Sequence, residues 1–234
     1  IHFEAVRNLI LPSGVSTLDR LLGRGVSTGI ITHVYGAAGS GKTTFALEFV
    51  RSTLNLGKRI IYINSESSSP IERLEQLMMS KYSEYEQKIT LLLPKTFEEQ
   101  GTITDDLELY IKDDTKLIVV DTITRLYRTV LEDKESSYTA HRELNRQVGL
   151  LKGLAKQQDI AVLLLNQVRA KMGEDGGIEP VATSILDYWS DYVIKIAAKR
   201  ETGSRLIELI EPESDLSSIV LYLTTHGFST QEKQ

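Results

Sequence analysis

The sequence predicts an α/β fold with a mostly parallel central sheet, helices on both faces and antiparallel strands along its C-terminal edge. Three observations predict it. Short aliphatic runs alternate with helical periodicities, a glycine-rich loop joins one such run to a helix, and after Tyr192 the rhythm changes to closely spaced β-like segments. Alternation of this kind implies a parallel sheet with ligands at the carboxyl ends of its strands.

The elements follow in order. Gly29 to Tyr35 is short, β-rich and ends at a glycine loop, as a buried strand does. Arg59 to Asn64, Lys116 to Asp121 and Ile160 to Asn166 repeat the theme, each an aliphatic run ending in polar residues. Leu144, Val148, Leu151 and Ala155 put one apolar face on a helix whose other side carries Arg142, Arg146, Lys152 and Lys156. Val193 to Ala197, Leu206 to Ile210 and Ile219 to Leu223 read as antiparallel strands added to one sheet edge. No repeat, low-complexity tract or long linker divides the chain. Residues 1–234 are therefore expected to form one domain, with 1–12 as an N-terminal extension.

Composition excludes several classes. There is no cysteine, which removes disulfides and thiolate metal sites and is compatible with a reducing, cytoplasmic setting. The aliphatic run Ile160 to Leu165 is far too short to span a bilayer, and the N-terminus has no signal-peptide pattern, so no membrane association is expected. A net charge of −5 gives no global attraction to nucleic acid, so any such site must be local.

The decisive motif is Gly36-Ala37-Ala38-Gly39-Ser40-Gly41-Lys42-Thr43, followed by Thr44 and an apolar helical run. It satisfies the P-loop pattern G-x-x-x-x-G-K-[ST]. Its glycines let successive backbone N–H groups curl around phosphate oxygens where side chains would block the approach. The helix behind it adds a partial positive charge at its N-terminus. Lys42 is expected to reach the β- and γ-phosphates of ATP, and the Thr43 hydroxyl to complete a Mg2+ shell. The hydrophobic strand ending in Asp121 is the Walker B form, with Asp121 holding Mg2+ through water.

Two further strand ends carry chemistry. Asn64 runs into Ser65-Glu66 directly after the P-loop helix, which puts a carboxylate beside the nucleotide. Leu165-Asn166-Gln167-Val168 ends a strand in an amide able to bond a γ-phosphate and relay its presence into the loop that follows.

Together these segments resemble the RecA/RadA recombinase core, and in particular archaeal RadB, the short paralogue without an N-terminal DNA-binding domain. Gly14-Val15-Ser16-Thr17-Leu18-Asp19-Arg20-Leu21-Leu22-Gly23 resembles that family's opening motif. Glu143 to Gln147, Asn166-Gln167-Val168 and Pro180-Val181-Ala182 with Leu186 and Tyr188 match it in order and spacing. The likeness runs from about Leu11 to Phe228, nearly the whole chain. It implies a RecA-like P-loop ATPase of DNA repair and homologous recombination, binding single-stranded DNA and assisting a full-length RadA-type recombinase, with oligomers possible in principle. It also implies Glu66 as the base that deprotonates water, Gln167 as γ-phosphate sensor and Arg73 as an adenine-side contact. The loops Arg128 to Tyr138 and Val168 to Ala182 would face DNA.

The chain departs from the family at several places. Asn64 stands where the family usually has Asp, and Ser184 where RadA-type proteins carry His or Asn, which implies weak hydrolysis. Phe3-Glu4-Ala5-Val6 does not match the Phe-x-x-Ala used in filament assembly. The first loop, with Glu132, Asp133 and Glu135 against Arg128 and Lys134, is not basic. The second offers Arg169 and Lys171 against Glu174, Asp175 and Glu179. Lys195, Lys199, Arg200 and Arg205 form the densest basic group, from which Lys199 and Arg200 are candidate DNA contacts alongside Arg169 and Lys171. Trp189 and Tyr188 could stack bases but read as core beside a strand. A KaiC-like regulatory ATPase is the alternative, although it carries two adjacent glutamates where this chain has Ser65-Glu66. A P-loop small-molecule kinase would need an Arg-rich lid, and residues 67–93 hold only Arg73, Lys81 and Lys88.

Overall fold

The computed structural model describes residues 8–78, 82–131, 134–170 and 178–231. The chain opens with a small ladder of β1 (Ile10–Leu11) and β2 (Val26–Ser27) around α1 (Ser16–Leu21). Asp19 organises this turn, accepting hydrogen bonds from Ser13 N at 2.6 Å and Ser13 Oγ at 2.7 Å.

Next come β3 (Ile31–Tyr35), α2 (Lys42–Asn55), β4 (Arg59–Asn64), α3 (Pro70–Met78) and α4 (Tyr82–Tyr85). They lead to β5 (Ile89–Leu92), α5 (Phe97–Asp105), β6 (Thr115–Asp121), α6 (Arg125–Arg128) and α7 (Lys134–Gln158). The second half adds β7 (Ala161–Asn166), the ribbon β8 (Val168–Ala170) and β9 (Ile178–Pro180), and α8 (Thr183–Trp189). It ends with β10 (Tyr192–Ala198), β11 (Ser204–Glu211), β12 (Ser218–Thr224) and β13 (Gly227–Ser229).

Among the described residues, nine strands form one sheet in the order β13-β12-β11-β10-β3-β7-β6-β4-β5. The aliphatic runs are explained by burial on both faces. Ile60, Tyr62, Val119 and Leu163 pack on one side against Phe45, Phe49 and Leu54 of α2. Ile61, Ile63, Val120 and Leu164 pack on the other against Leu144, Val148, Leu151 and Ala155 of α7, all four of them fully buried. Truncating a buried leucine such as Leu144 to alanine removes roughly 2–5 kcal/mol.

The mixed sheet with helices on both faces matches the predicted class, with one correction. β10, expected to be antiparallel, runs parallel to β3. It is reached through α8, a crossover of the kind parallel neighbours require. The antiparallel edge begins only at β11 and continues through β12 and β13. Among the elements not foreseen, two bear on the sheet and its flank. β5 extends the sheet parallel to β4, and α5 is capped by Thr96 Oγ1, which accepts from Glu99 N at 3.1 Å while Glu99 accepts from Lys95 N. Among the described residues no helix is long and apolar enough to cross a membrane.

Candidate nucleotide-binding site

Sheet register assembles the site. Tyr35 pairs with Asn166, Asp121 with Leu165, and Asn64 with Asp121, so four predicted strand ends lie side by side at one end of the sheet. The P-loop leaves β3 pressed onto β10. A Cβ on Gly36 would sit 2.2 Å from the Ile196 carbonyl oxygen, a distance no side chain tolerates. Gly41, with φ at 107°, is the left-handed residue that starts α2.

Lys42 Nζ donates to Gly36 O at 2.8 Å and Ala37 O at 2.9 Å, so the ammonium lies over its own loop. Burial pulls its pKa down, and the carboxylates of Asp121 and Glu66 pull it back up. Thr43 Oγ1 donates to Asp121 Oδ2 at 2.8 Å, and Tyr62 OH donates to the same oxygen at 2.8 Å. Burial raises the pKa of Asp121, and those two hydrogen bonds act against it.

Arg205 of β11 adds a contact that the sequence does not reveal. Its Nε donates to Ser40 O at 3.0 Å and its NH2 to Gly39 O at 3.2 Å, which fixes the loop from the antiparallel edge.

The residues present fit a magnesium nucleotide. Ser40 Oγ is buried without a hydrogen-bond partner, and a cavity of about 300 Å³ beside the loop is lined by Thr43, Thr44, Ser68, Ser69, Arg73 and Asp121, among others. No group of three or more His, Cys, Asp or Glu among the described residues could hold a metal unaided. A divalent ion at Thr43 and Asp121 would therefore take its remaining oxygens from phosphate and water. A larger cavity of about 600 Å³ lies between α5 and α7, lined mainly by apolar surface, and contains none of these groups.

Glu66 and Gln167, 101 positions apart, are brought together. Gln167 Nε2 donates to Glu66 Oε1 at 2.8 Å, and Thr122 Oγ1 donates to the same oxygen at 3.1 Å. Arg125 Nε lies 3.7 Å from Glu66 Oε2, and Arg125 also donates to the Ser65 carbonyl. Arg128 donates to Gln167 Oε1 at 3.1 Å. Thr122 and Arg125 were missed as site residues, although two arginines three positions apart just beyond the Walker B strand were a visible signal. Asn64 replaces a carboxylate with an amide that acts locally. Its Nδ2 donates to Ser68 O at 2.9 Å and its Oδ1 accepts from Glu66 N at 3.2 Å, a pattern that Asp cannot complete.

The remaining predicted residues fall further out. Arg73 donates to Thr225 O at 2.8 Å and Thr224 O at 2.6 Å, tying α3 to the β12–β13 turn on the cavity wall. Arg169 pairs with Glu179 at 2.8 Å across the β8–β9 ribbon. Lys171 lies outside the described residues, as do Phe3 to Val6, Glu132, Asp133, Glu174 and Asp175. The supposed basic group does not act as one. Lys195 pairs with Glu208 at 2.9 Å and Arg205 serves the P-loop, leaving Lys199 and Arg200 exposed at the β10–β11 turn. Ser184 is exposed on α8. Tyr188 and Trp189 belong to that helix rather than to a strand margin. Tyr188 is 77% exposed, and Trp189 Nε1 donates to Asn145 Oδ1 at 3.0 Å.

Residues 6–211 match the family described as Rad51. Proteins named DNA repair and recombination protein RadB are similar to the chain. That of Methanococcoides burtonii is 35% identical over 195 residues, covering 83% of this chain and 85% of the relative. That of Methanothermobacter thermautotrophicus is 32% identical over 199 residues, covering 83% and 84%. A crystal structure of the RadB recombinase superposes with a TM-score of 0.78 at 29% identity, covering 95% of this chain and all of that one.

Proposed function

The chain belongs to the Rad51 family, and from that premise we propose that it binds ATP with Mg2+, hydrolyses it slowly and engages single-stranded DNA; the names of its RadB relatives place those proteins in DNA repair and recombination. One observation carries this reading. Lys42 and Thr43 of the P-loop stand against Asp121, with Glu66 held by Gln167 at the neighbouring strand ends.

In this reading the loop N–H groups and Lys42 bind the phosphates, Lys42 exchanging its carbonyl acceptors for phosphate oxygens. Bound at Thr43 and Asp121, Mg2+ supplies neutralisation of the phosphate charge. Glu66 takes a proton from water at Oε2, because Oε1 already accepts from Gln167 and Thr122. The water oxygen bonds to the γ-phosphorus as the bond to the ADP oxygen breaks. Gln167 senses the γ-phosphate, and Arg73 borders the adenine side. Hydrolysis is slow because Arg125 stands beside the oxygen that must accept the proton, and because exposed Ser184 replaces a γ-phosphate contact.

Residues 1–234 act as one cytoplasmic ATPase domain assisting a full-length RadA-type recombinase, with Arg169, Lys171, Lys199 and Arg200 as the DNA contacts. Ser65, buried and bonded to the Thr122 carbonyl at 2.8 Å, argues against the regulatory-ATPase alternative with its paired glutamates. The test is a titration of a single-stranded oligonucleotide at two salt concentrations, with and without ATP. Weak, ATP-dependent and salt-sensitive binding supports the reading. Binding that ignores both salt and nucleotide contradicts it.

A further inference from the structure

His33 is fully buried in the middle of β3, three positions before the P-loop begins at Gly36. It is neither a spectator nor part of the phosphate site. Its Nδ1 lies 3.0 Å from Asp187 Oδ1 on α8, and its Nε2 lies 3.1 Å from Asn166 Nδ2 at the end of β7.

The partners fix the direction of every bond. Asn166 Nδ2 also donates to the Val181 carbonyl at 2.8 Å, and a carbonyl can only accept. The amide nitrogen therefore faces His33, which leaves Nε2 as the acceptor and puts the ring proton on Nδ1, donating to Asp187. Asn166 Oδ1 in turn accepts from Thr124 Oγ1 at 2.6 Å, three residues past Asp121.

The consequence is topological. The β8–β9 ribbon begins directly after Asn166-Gln167 and ends at Pro180, one residue before Val181, which leads into α8. One imidazole holds both ends, the first through Asn166 and the second through Asp187, while Asn166 also holds Val181. Gln167, bonded to Glu66, is the residue between the clamp and the ribbon. β3, which leads into the P-loop, is thus joined to Asn166 of β7 and to Asp187 of α8 through a single fully buried ring.

We propose that His33 is a positioning residue that transmits occupancy of the P-loop to α8. The inference rests on the nucleotide reading above and adds a coupling route to it. Trp189, the one tryptophan of the chain, sits on α8 two residues from Asp187 and reports on that helix.

Two substitutions cut the arm to Asp187 from its two ends. His33→Gln places an amide near Nε2 and can still accept from Asn166, but it loses Asp187. Asp187→Ala cuts the same arm from a half-exposed surface position and leaves the imidazole itself and its bond to Asn166 in place. The experiment follows Trp189 fluorescence during titration with ATP and Mg2+, alongside calorimetry of the same binding. The wild-type signal should change with the calorimetric midpoint. In both variants most of the ATP-dependent amplitude should be lost, while ATP affinity stays within about twofold, below the roughly fivefold at which ordinary site-to-site coupling begins. Full amplitude in both variants overturns the inference, as does ATP affinity falling in step with the signal. A wild-type chain that binds ATP while Trp189 stays silent overturns the coupling but leaves the nucleotide assignment standing. A wild-type chain that binds no ATP overturns the proposed function and the coupling with it.

Discussion

Thr43 Oγ1 donates to Asp121 Oδ2 at 2.8 Å across 78 positions of sequence, joining the start of α2 to the end of β6. The hydroxyl and the carboxylate occupy the place where a divalent ion would link them through its own shell. Thr43→Val keeps the shape and removes the hydroxyl. It should weaken Mg2+-dependent ATP affinity by about 10–100-fold, the range for disturbed metal surroundings, and leave Mg2+-free affinity little changed. Equal titration curves for the two proteins with Mg2+ present would show that Thr43 has no part in metal binding.

Glu66 is the assigned base, and Gln167, Thr122 and Arg125 hold it. Glu66→Gln should lower steady-state phosphate release by about 100-fold or more while sparing ATP affinity. Arg125→Ala should raise the basal rate, since the cation beside Oε2 opposes proton uptake there. Unchanged turnover in the glutamine variant would remove Glu66 from the mechanism.

The basic residues of the β10–β11 hairpin separate into two roles. Lys199→Ala with Arg200→Ala should flatten the plot of log DNA affinity against log salt by about 0.7 for each phosphate no longer neutralised. Arg205→Ala should leave that slope alone and weaken ATP binding by about tenfold, the scale set by removing charge-assisted hydrogen bonds. The reverse pattern would return Arg205 to the DNA-binding face.

Glu48, fully buried on α2, accepts from Phe228 N at 2.8 Å and pairs with Arg51 at 2.5 Å. Burial raises its pKa above the ordinary 4.5, with Arg51 and the Phe228 N–H acting against it. A group raised in this way contributes stability in acid and loses it as pH rises through the folded-state value. The melting temperature of wild type minus that of Glu48→Gln should therefore be largest in acid and fall as pH rises above the ordinary 4.5. A difference that grows with pH would mean that Arg51 outweighs burial.

Much of this was legible because it is local. The strands ending at Asn64, Asp121 and Asn166 announce themselves as aliphatic runs, and the P-loop is contiguous in sequence. The direction of β10 was not legible, because it depends on α8 crossing over the sheet, and α8 is too short to show a clear periodicity. Arg205 looked like a surface cation because its acceptors, Gly39 and Ser40, lie about 165 positions away. His33 is a lone histidine in a strand. Only the register that sets β7 beside β3, and the packing of α8, give it Asn166 and Asp187 as partners.

The most direct test is calorimetric titration of ATP and Mg2+ into wild type and Lys42→Ala, with circular dichroism to establish that both are folded. Lys42 Nζ bonds only to carbonyls of its own loop, whose tip Ala37 to Gly39 is exposed, so the variant should keep its fold and lose measurable ATP binding. A folded Lys42→Ala protein that binds ATP as tightly as wild type would contradict the assignment of this loop as the nucleotide site.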